Sequence, residues 1–211
     1  MGQKANVNSL QLMNNKDWNS IWYSSPKEYK KVLGQDLALM GYLKSSDVFN
    51  NQRMALKIRV CRISKDLIID LRYFSAEDDN QKHSLTKLTD GLRKTFHGSF
   101  CKIFVITKLL SLQEVKADAV YLSKKIGKLI ENRVKFKSYV IRDSINQAYA
   151  ISNGVKVSCK GRLNGVDMAD SDCMSLGSIP FQTFKANIDY GFSVANTAKG
   201  LLSVKVWVYR T

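Results

Sequence analysis

Histidine, proline and acidic side chains are scarce in this sequence, which has two, two and 18 of them among 211 residues. Two histidines leave few candidates for a general base. The chain also lacks Gly-x-Ser-x-Gly, His-Glu-x-x-His and a phosphate-binding loop that ends in Gly-Lys-Ser or Gly-Lys-Thr. We interpret the neighbouring Asp78 and Asp79 as solvated carboxylates of a polar loop. The sequence thus predicts no catalytic residue, no metal site and no cofactor.

Long hydrophobic runs are absent too, and the few cysteines are widely separated without a Cys-x-x-Cys pair. Because zinc sites need clustered ligands, we expect structural thiols in a reducing compartment. No apolar segment approaches the length of a membrane-spanning helix, and Asn6 stands where a myristoylation signal needs Ser or Thr. No signal or transit peptide is visible. We therefore expect no membrane partner, and a protein that works in the compartment that makes it. The cysteines are Cys61, Cys101, Cys159 and Cys173.

Positive charge is what the sequence has in excess. Its 33 Lys and Arg residues against 18 Asp and Glu give a formal net charge of +15. The first 110 residues contain 18 basic and 10 acidic residues, net +8, and the rest contain 15 and 8, net +7. The charge is therefore spread through the chain and is not confined to a tail. A basic surface of this size attracts polyanions, and nucleic acid is the commonest of them.

The first half of the chain predicts a small α+β domain behind an N-terminal arm, residues 1–23. Ser25-Pro26-Lys27-Glu28 is a helix start, because Ser25 can cap, Pro26 suits the first helical position and Glu28 can return a bond to the cap. The expected elements are a helix from there to about Leu43, strands 55–62 and 66–73, a polar loop 75–84, a helix of about 85–96 and a strand 101–107.

The second half predicts two helices packed on a four-stranded, mostly antiparallel sheet. The first helix, 112–131, carries apolar residues at helical spacing. The second, about 135–151, presents Phe136, Val140, Ser144 and Ala148 on one face and ends at Asn153-Gly154, a pair suited to a left-handed stop. The apolar residues of the first helix are Val115, Ala119, Leu122, Ile126, Leu129 and Ile130. The expected strands are 155–160, 166–175, 182–190 and 200–209, with Asn164-Gly165 as a tight turn between the first two.

Basic residues concentrate in two places in this second half. Between Lys124 and Arg142 the chain has seven basic residues and one acid, Glu131. Lys124 and Lys128 are one helical turn apart, so their ammonium groups project together and can neutralise phosphates without reading bases. A solvated helix face is the plain alternative. The seven are Lys124, Lys125, Lys128, Arg133, Lys135, Lys137 and Arg142.

The second group lies on the expected sheet, where Arg162 can stand at a loop tip. Lys185 and Lys205 can equally be solvent-side residues of alternating strands. Trp207 and Tyr209 could stack on bases, although aromatic strand residues more often pack against protein. The candidate RNA-binding residues outside the helix pair are Lys4, Lys160, Arg162, Lys185 and Lys199.

Several stretches of the chain resemble the small-subunit ribosomal protein S-three family from end to end. They are Met1-Gly2-Gln3-Lys4, Trp18-Asn19-Ser20-x-Trp22-Tyr23, Glu131-x-Arg133-Val134-x-Phe136, GVKVSCKGRLNG from residue 154, IPFQTFKANIDYG from 179 and GLLSVKVWVY from 200. The resemblance implies an RNA-binding KH domain of the second type over 24–110 and the family's C-terminal α+β domain over 111–211. It also implies a position on the head of the small subunit, with small-subunit rRNA, entering messenger RNA (mRNA) and neighbouring head proteins as partners.

Two regions depart from the family pattern. A KH domain clamps a nucleic-acid backbone with Gly-x-x-Gly, but Gln81-Lys82-His83-Ser84 stands there with acidic residues beside it, so we expect the KH fold without its usual RNA grip. Bacterial members carry two arginines after the Phe and a lysine further on, implicated in opening structured mRNA. Lys137-Ser138 and Ile141 stand there instead, which favours guidance of mRNA over unwinding. Asp170 and Ser178 also occupy positions that are usually basic.

The sequence therefore favours a structural, rRNA-binding ribosomal protein and leaves two alternatives open. One is a lysine-dependent lyase acting on nucleic acid, and the other is a free KH-type regulator of translation. Lysine outnumbers arginine 24 to 9, which is compatible with AT-rich coding. With no visible import signal, we expect an organelle-encoded, mitochondrial protein, and a plastid or bacterial cytoplasmic origin stays open.

Overall fold

The structure, a computed structural model, describes residues 5–12, 14–45, 55–63, 66–73, 86, 89–96 and 102–210. The chain divides into two compact units. One contains the chain up to Asp17 together with Leu112–Thr211, and the other is Trp18–Ser111. Each unit has its own cluster of buried apolar side chains. The architecture is α+β in both units, as the sequence predicts.

The Trp18–Ser111 unit places helices against one side of a four-stranded sheet. The strands are β1 (Ser20–Ile21), β2 (Ala55–Ile63), β3 (Asp66–Tyr73) and β4 (Lys102–Leu109), in that spatial order. β2 and β3 are antiparallel, whereas the β1–β2 and β3–β4 pairs are parallel. The helix Tyr29–Ser45 and the helical residues 89–95 complete the unit.

The core of this unit forms where apolar side chains of the long helix meet the sheet. Leu39 and Leu43 are fully buried together with Val60 of β2 and Ile69 of β3. The helix begins at Tyr29, after a turn that starts at Ser25, so its first residues lie later than Pro26. The expected Gly-x-x-Gly position, residues 81–84, lies outside the described residues, and the predicted loss of RNA grip stays a prediction.

The second unit contains a fully antiparallel sheet in the spatial order β6-β5-β8-β7. Inward-facing residues of β8 alternate with outward ones, and Leu202, Val204, Val206 and Val208 are all buried, as the alternation predicts. The strands are β5 (Gly154–Gly161), β6 (Asp170–Gly177), β7 (Asn187–Thr197) and β8 (Gly200–Arg210).

The helical segment predicted over 112–131 is broken in two. Helix α3 is Leu112–Lys116 and helix α4 is Ala119–Glu131, numbering Val7–Gln11 as α1 and the long helix Tyr29–Ser45 as α2. Asp118 causes the break, because its carboxylate accepts the N–H groups of Val120 (2.8 Å) and Tyr121 (3.1 Å) and so caps a new helix. The apolar periodicity continues across the break and hides it in the sequence.

The second helix of the pair, α5, is Tyr139–Tyr149, shorter than predicted at both ends. Its buried face is Ile141, Ser144, Ile145 and Ala148, whereas Val140 is 49% exposed. Phe136, Ser144 and Ala148 of the expected face are therefore buried as predicted, and only Val140 is wrong, because Ile141, three residues before Ser144, takes its place on the buried side.

The Asn153-Gly154 stop is also wrong. Gly154 opens β5 without a left-handed conformation, and a β-carbon there would lie 2.4 Å from the carbonyl oxygen of Ser178. The glycine therefore serves the close approach of two backbones. Asn164-Gly165 is the left-handed pair instead, with φ of 55° and 80°, and it forms the predicted turn between β5 and β6.

The predicted strand 182–190 begins later, at Asn187. Residues 179–186 form successive turns instead, with the N–H of Thr183 bonded to the carbonyl of Pro180 and that of Ala186 to the carbonyl of Thr183. The alternating pattern before Asn187 therefore belongs to a turn segment.

Residues 5–12 and 14–17 fold onto the edge of β7. The Gln11 side chain donates to the carbonyl of Ala186, and Asn15 donates to the carbonyl of Lys185. Lys16 forms a 3.2 Å ion pair with Asp189, and both side chains are largely buried. This part of the predicted arm packs on the C-terminal sheet, whereas Ser20 and Ile21 pair with β2. The three-segment division over 1–23, 24–110 and 111–211 stays a prediction.

Candidate nucleic-acid interface

One groove brings together two members of each predicted basic group. It has a volume of about 540 Å³ and lies between the α4–α5 connector (133–136), the β5–β6 turn (162–165) and the β7–β8 turn (196–199). We call it the turn groove. Its basic lining residues are Arg133, Lys135, Arg162 and Lys199. The structure therefore joins residues that are up to 66 positions apart in the sequence.

Arg133 occupies a left-handed backbone conformation, with φ of 64°. It follows the cap residue Asn132 at the end of α4, and the N–H groups of Arg133 and Val134 bond back to the carbonyls of Ile130 and Leu129. This hydrogen-bond pattern is the Schellman motif, in which glycine normally takes the left-handed position. An arginine here is strained, and strain of this kind is common at functional sites.

Arg162 binds both turns that form the groove. Its Nε donates to the carbonyl of Val166 (2.9 Å), and its other nitrogens donate to the carbonyl of Lys199 (3.2 Å) and to Asp167 (3.2 Å). These bonds hold the β5–β6 turn against the β7–β8 turn. The sequence placed Arg162 at a loop tip facing a phosphate, but the structure shows a guanidinium engaged with its own protein.

Glu131, the one acid among the seven basic residues, also holds the groove together. Its carboxylate accepts the backbone N–H of Asn196 at 2.9 Å, which ties the end of α4 to the β7–β8 turn. Lys199 projects from the same turn, and its aliphatic stem passes over Gly165. A β-carbon at Gly165 would lie 3.4 Å from Lys199 Cγ, which is an ordinary van der Waals distance, so the φ of 80° and not the lysine stem favours glycine there. The groove thus has basic side chains on a hydrogen-bonded frame.

The outer face of α4 carries Lys124, Lys125 and Lys128, and we call these three the α4 lysines. The opposite face of the helix is buried in the core, through Leu122, Ile126 and other residues. Among the described residues, no carboxylate lies within ion-pair distance of the α4 lysines. Arg142 is exposed on α5. These cations are therefore available to an external anion.

Lys137 is already paired. Its ammonium lies 2.8 Å from Asp172 on β6. The hydrogen bond from Lys137, together with its charge and the N–H of Cys173, holds the pKa of Asp172 below its usual range. The charge of Lys137 is therefore partly neutralised by Asp172 and is less available to a phosphate than the charges of the neighbouring basic residues.

The remaining predicted residues are dispersed. Lys160 is exposed on β5, and Lys185 is exposed in the turn segment before β7. Lys205 projects from the outer side of β8, where it is half-buried. Lys4 lies outside the described residues. Sequence reasoning missed Asn196, Asn164 and Gly165 as parts of the groove, and only the left-handed signal of Asn164-Gly165 could have indicated them.

Two classes of site find no counterpart in the described part of the chain. No group of three or more His, Cys, Asp and Glu side chains there is arranged to hold a metal ion. No helix described is long and apolar enough to cross a membrane.

Comparisons with known proteins agree with the geometry. The family model described as "Ribosomal protein S3, C-terminal domain" matches residues 126–208, which include the turn groove and most of the sheet. The chain is 34% identical to the small ribosomal subunit protein uS3 of Dictyoglomus turgidum, over 100% of this chain and 84% of the relative. It is 31% identical to the uS3 protein of Synechocystis, over 100% and 86%, and 30% identical to that of Ehrlichia ruminantium, over 99% and 96%.

These matches run along both units and not only along the segment that forms the groove. The relatives quoted are bacterial, and each is a ribosomal protein by name. The chain therefore belongs to the uS3 family of small ribosomal subunit proteins.

Proposed function

We propose that this protein is a structural component of the small ribosomal subunit and binds rRNA through the turn groove and the α4 lysines. The observation that carries this proposal is the convergence of Arg133, Lys135 and Lys199 on one groove. Cations set on a rigid frame bind a phosphate backbone without reading bases. Family membership makes the chain a structural ribosomal protein and not an enzyme.

Guidance of entering mRNA is a finer part of the same proposal. Ile141, which stands where the bacterial pattern has a lysine, is fully buried in the core of the second unit. Lys137 is paired with Asp172. Both features support passive guidance by the remaining exposed cations, Arg133, Lys135 and Arg142, over active unwinding. The same proposal includes contacts with neighbouring head proteins. It also includes a mitochondrial location, with a plastid or the bacterial cytoplasm as the alternatives.

The test compares two triple variants of the full chain in RNA binding across salt concentrations. Replacing the three α4 lysines with Ala should weaken binding and flatten the slope of log affinity against log salt by about 2, because up to three phosphate contacts are lost. The matched control replaces Lys27, Lys30 and Lys31 of the other unit, which removes the same charge. Equal flattening in both variants would show that net charge and not this surface binds RNA.

Sedimentation of the protein from its native lysate tests the assembly itself. We expect comigration with small ribosomal particles and release at high salt. A protein that sediments as a free monomer at low salt would contradict the proposal.

A further inference from the structure

The outer face of the β5–β8 sheet has an unusual composition. The helices cover the other face, where Val157, Val206 and Ala195 are fully buried. Residues directly opposite each other on paired antiparallel strands share a face, so the register defines rows across the outer side, and three of these rows are neighbours. These three rows are Ser175-Lys156-Trp207-Tyr190, Cys173-Ser158-Lys205-Phe192 and Ser171-Lys160-Ser203-Val194.

Ring contacts confirm that the first row forms one surface. The Tyr190 and Trp207 rings lie 5.6 Å apart, and Phe181 packs edge-on against Trp207 at 6.1 Å. The Lys156 ammonium lies 5.7 Å from the Phe181 ring. Phe181 thus covers this end of the sheet, and burial raises the pKa of the Tyr190 hydroxyl.

The other two rows are open. Phe192 is 51% exposed and Val194 is 49% exposed, side by side on β7. Lys205 stands directly opposite Phe192, and Lys160 is exposed one row further along. None of the side chains in the three rows is acidic. An open aromatic ring is therefore flanked by lysines on a flat, rigid surface.

We propose that this outer face, centred on Phe192, is a platform on which unpaired RNA bases stack, with Lys205 and Lys160 neutralising the adjoining phosphates. The proposal rests on the RNA-binding function above and adds the class of RNA. An aromatic ring can stack on any base, because every base has an apolar face. The flanking lysines favour a polyanion such as RNA over a protein partner whose surface has few acidic residues. The turn groove, by contrast, offers charge without an exposed ring, because its one aromatic lining residue, Phe136, is buried.

The experiment uses the full chain and two probes of equal length, single-stranded oligoadenylate and an abasic oligonucleotide with the same backbone. Phe192→Ala should weaken oligoadenylate binding about tenfold and leave abasic binding unchanged, because only the stacking contact is lost. Phe192→Tyr, which keeps the ring, should bind like the original chain. Lys205→Ala should weaken binding of both probes. Trp207 lies beside Lys156 and Tyr190, so its fluorescence should change on binding oligoadenylate.

The outcomes separate this inference from the proposed function. If the original chain binds neither probe, the platform fails, while the salt dependence of the α4 lysine variant and the sedimentation experiment decide the proposed function separately. If the α4 lysine variant loses binding but Phe192→Ala does not, the platform is wrong while the rRNA-binding function stands, and the face is free for a protein neighbour. Equal weakening of both probes by Phe192→Ala would also overturn the platform, because it would show loss of folding or charge geometry and not of stacking.

Discussion

At the scale of single residues, Arg133 combines a strained backbone conformation with a side chain that contributes to the candidate RNA-binding site. Its left-handed backbone suits glycine, while its guanidinium lines the turn groove. Any L-residue with a β-carbon is strained in this conformation. Glycine would relieve the strain without loss of hydrogen bonds, because the Schellman motif uses only backbone groups. An arginine at this position is therefore less favourable for stability than a glycine would be.

Arg133→Gly should raise the free energy of unfolding by about 1 kcal/mol, because the strain of the left-handed conformation disappears. Urea unfolding followed by circular dichroism measures the change. The same variant should bind RNA more weakly, with a shallower salt dependence.

Asn132→Gly is the matched control for that variant. Asn132 precedes Arg133 and has a φ of −77°, so glycine gains no strain relief there and should not stabilise the protein. A stability gain of equal size at both positions would contradict the strain argument.

Cys159 gives a second prediction at the residue scale. Burial raises the pKa of its thiol to about 11, and the nearby Asp172 charge contributes in the same direction. The stability that this neutral thiol contributes is fully present below the thiol's ordinary pKa and is lost as the pH rises toward about 11, because the unfolded chain ionises first. The advantage of the original chain over Cys159→Val should therefore shrink by up to about 2 kcal/mol across that range. Urea unfolding at a series of alkaline pH values measures it, and a constant difference would refute the prediction.

The two Asn-Gly pairs show what sequence can and cannot predict at this scale. Asn164-Gly165 and Asn153-Gly154 carry the same local signal, yet only the first is left-handed. The conformation of the second is set by the distant backbone of Ser178, whose carbonyl oxygen would lie only 2.4 Å from a β-carbon added at Gly154. Local propensity predicts a turn, and a tertiary contact decides which pair makes it.

Among elements, the contact between α4 and β7 depends on a missing side chain. A β-carbon at Gly191 of β7 would lie 2.1 Å from the carbonyl oxygen of Ala119, at the start of α4. The helix can rest on the strand only because glycine stands there. The hydroxyl of Ser193, two residues along, then donates to the carbonyl of Ser123 at 2.7 Å.

Gly191→Ala should therefore lower the free energy of unfolding by about 3 kcal/mol, since neither backbone can move away without loss of packing. Gly34→Ala is the matched control, because Gly34 lies inside α2 with nothing within 4 Å of the added carbon. That variant should gain roughly 0.5–1 kcal/mol from helix propensity. Urea unfolding of both variants gives the comparison, and two changes of the same sign would count against it.

Element types were predictable here, and element boundaries much less so. Apolar alternation identified β2, β3, β5 and β8 within one or two residues. The break at Asp118 was not found, because the core residues keep their helical spacing on both sides of it. At Asp118 a side-chain cap replaces the backbone hydrogen bonds of a continuous helix, and this replacement does not change the spacing of the buried residues.

At the scale of the whole molecule, the turn groove could not have been predicted in its present form. The sequence places one group of basic residues on the helix pair and the other on the sheet, and it predicts phosphate contacts for both groups. Their meeting depends on the strand order β6-β5-β8-β7, which brings two hairpin turns to the same end of the sheet as the α4–α5 connector. Composition predicts the net charge of the surface, whereas the chain topology determines where the basic side chains cluster.

A charged network near the other end of the sheet gives a prediction at the same scale. Asp189 binds both Lys16 (3.2 Å) and Arg210 (3.1 Å), and Arg210 also donates to the carbonyl of Ala117 at 2.7 Å. Lys16→Met should destabilise this unit by about 1–2 kcal/mol, because the largely buried carboxylate of Asp189 loses a cation that lies 3.2 Å away. Hydrogen exchange should speed up in β7 and β8, while the Trp18–Ser111 unit keeps its protection.

Lys185→Met is the control for that network, since Lys185 is an exposed lysine in the turn segment before β7. It should leave exchange rates unchanged. Faster exchange spread evenly over both units in Lys16→Met would contradict a local role for the ion pair.

The shared carboxylate of Asp189 has a consequence for the order in which the protein is made. A ribosome releases Lys16 long before it has synthesised Asp189 and Arg210, whereas Trp18–Ser111 emerges as one uninterrupted stretch. The middle of the chain can therefore fold first during translation. The segment around Lys16 cannot reach its final position until Asp189 and Arg210 have been synthesised, so it completes its folding after the middle unit although it is made before it.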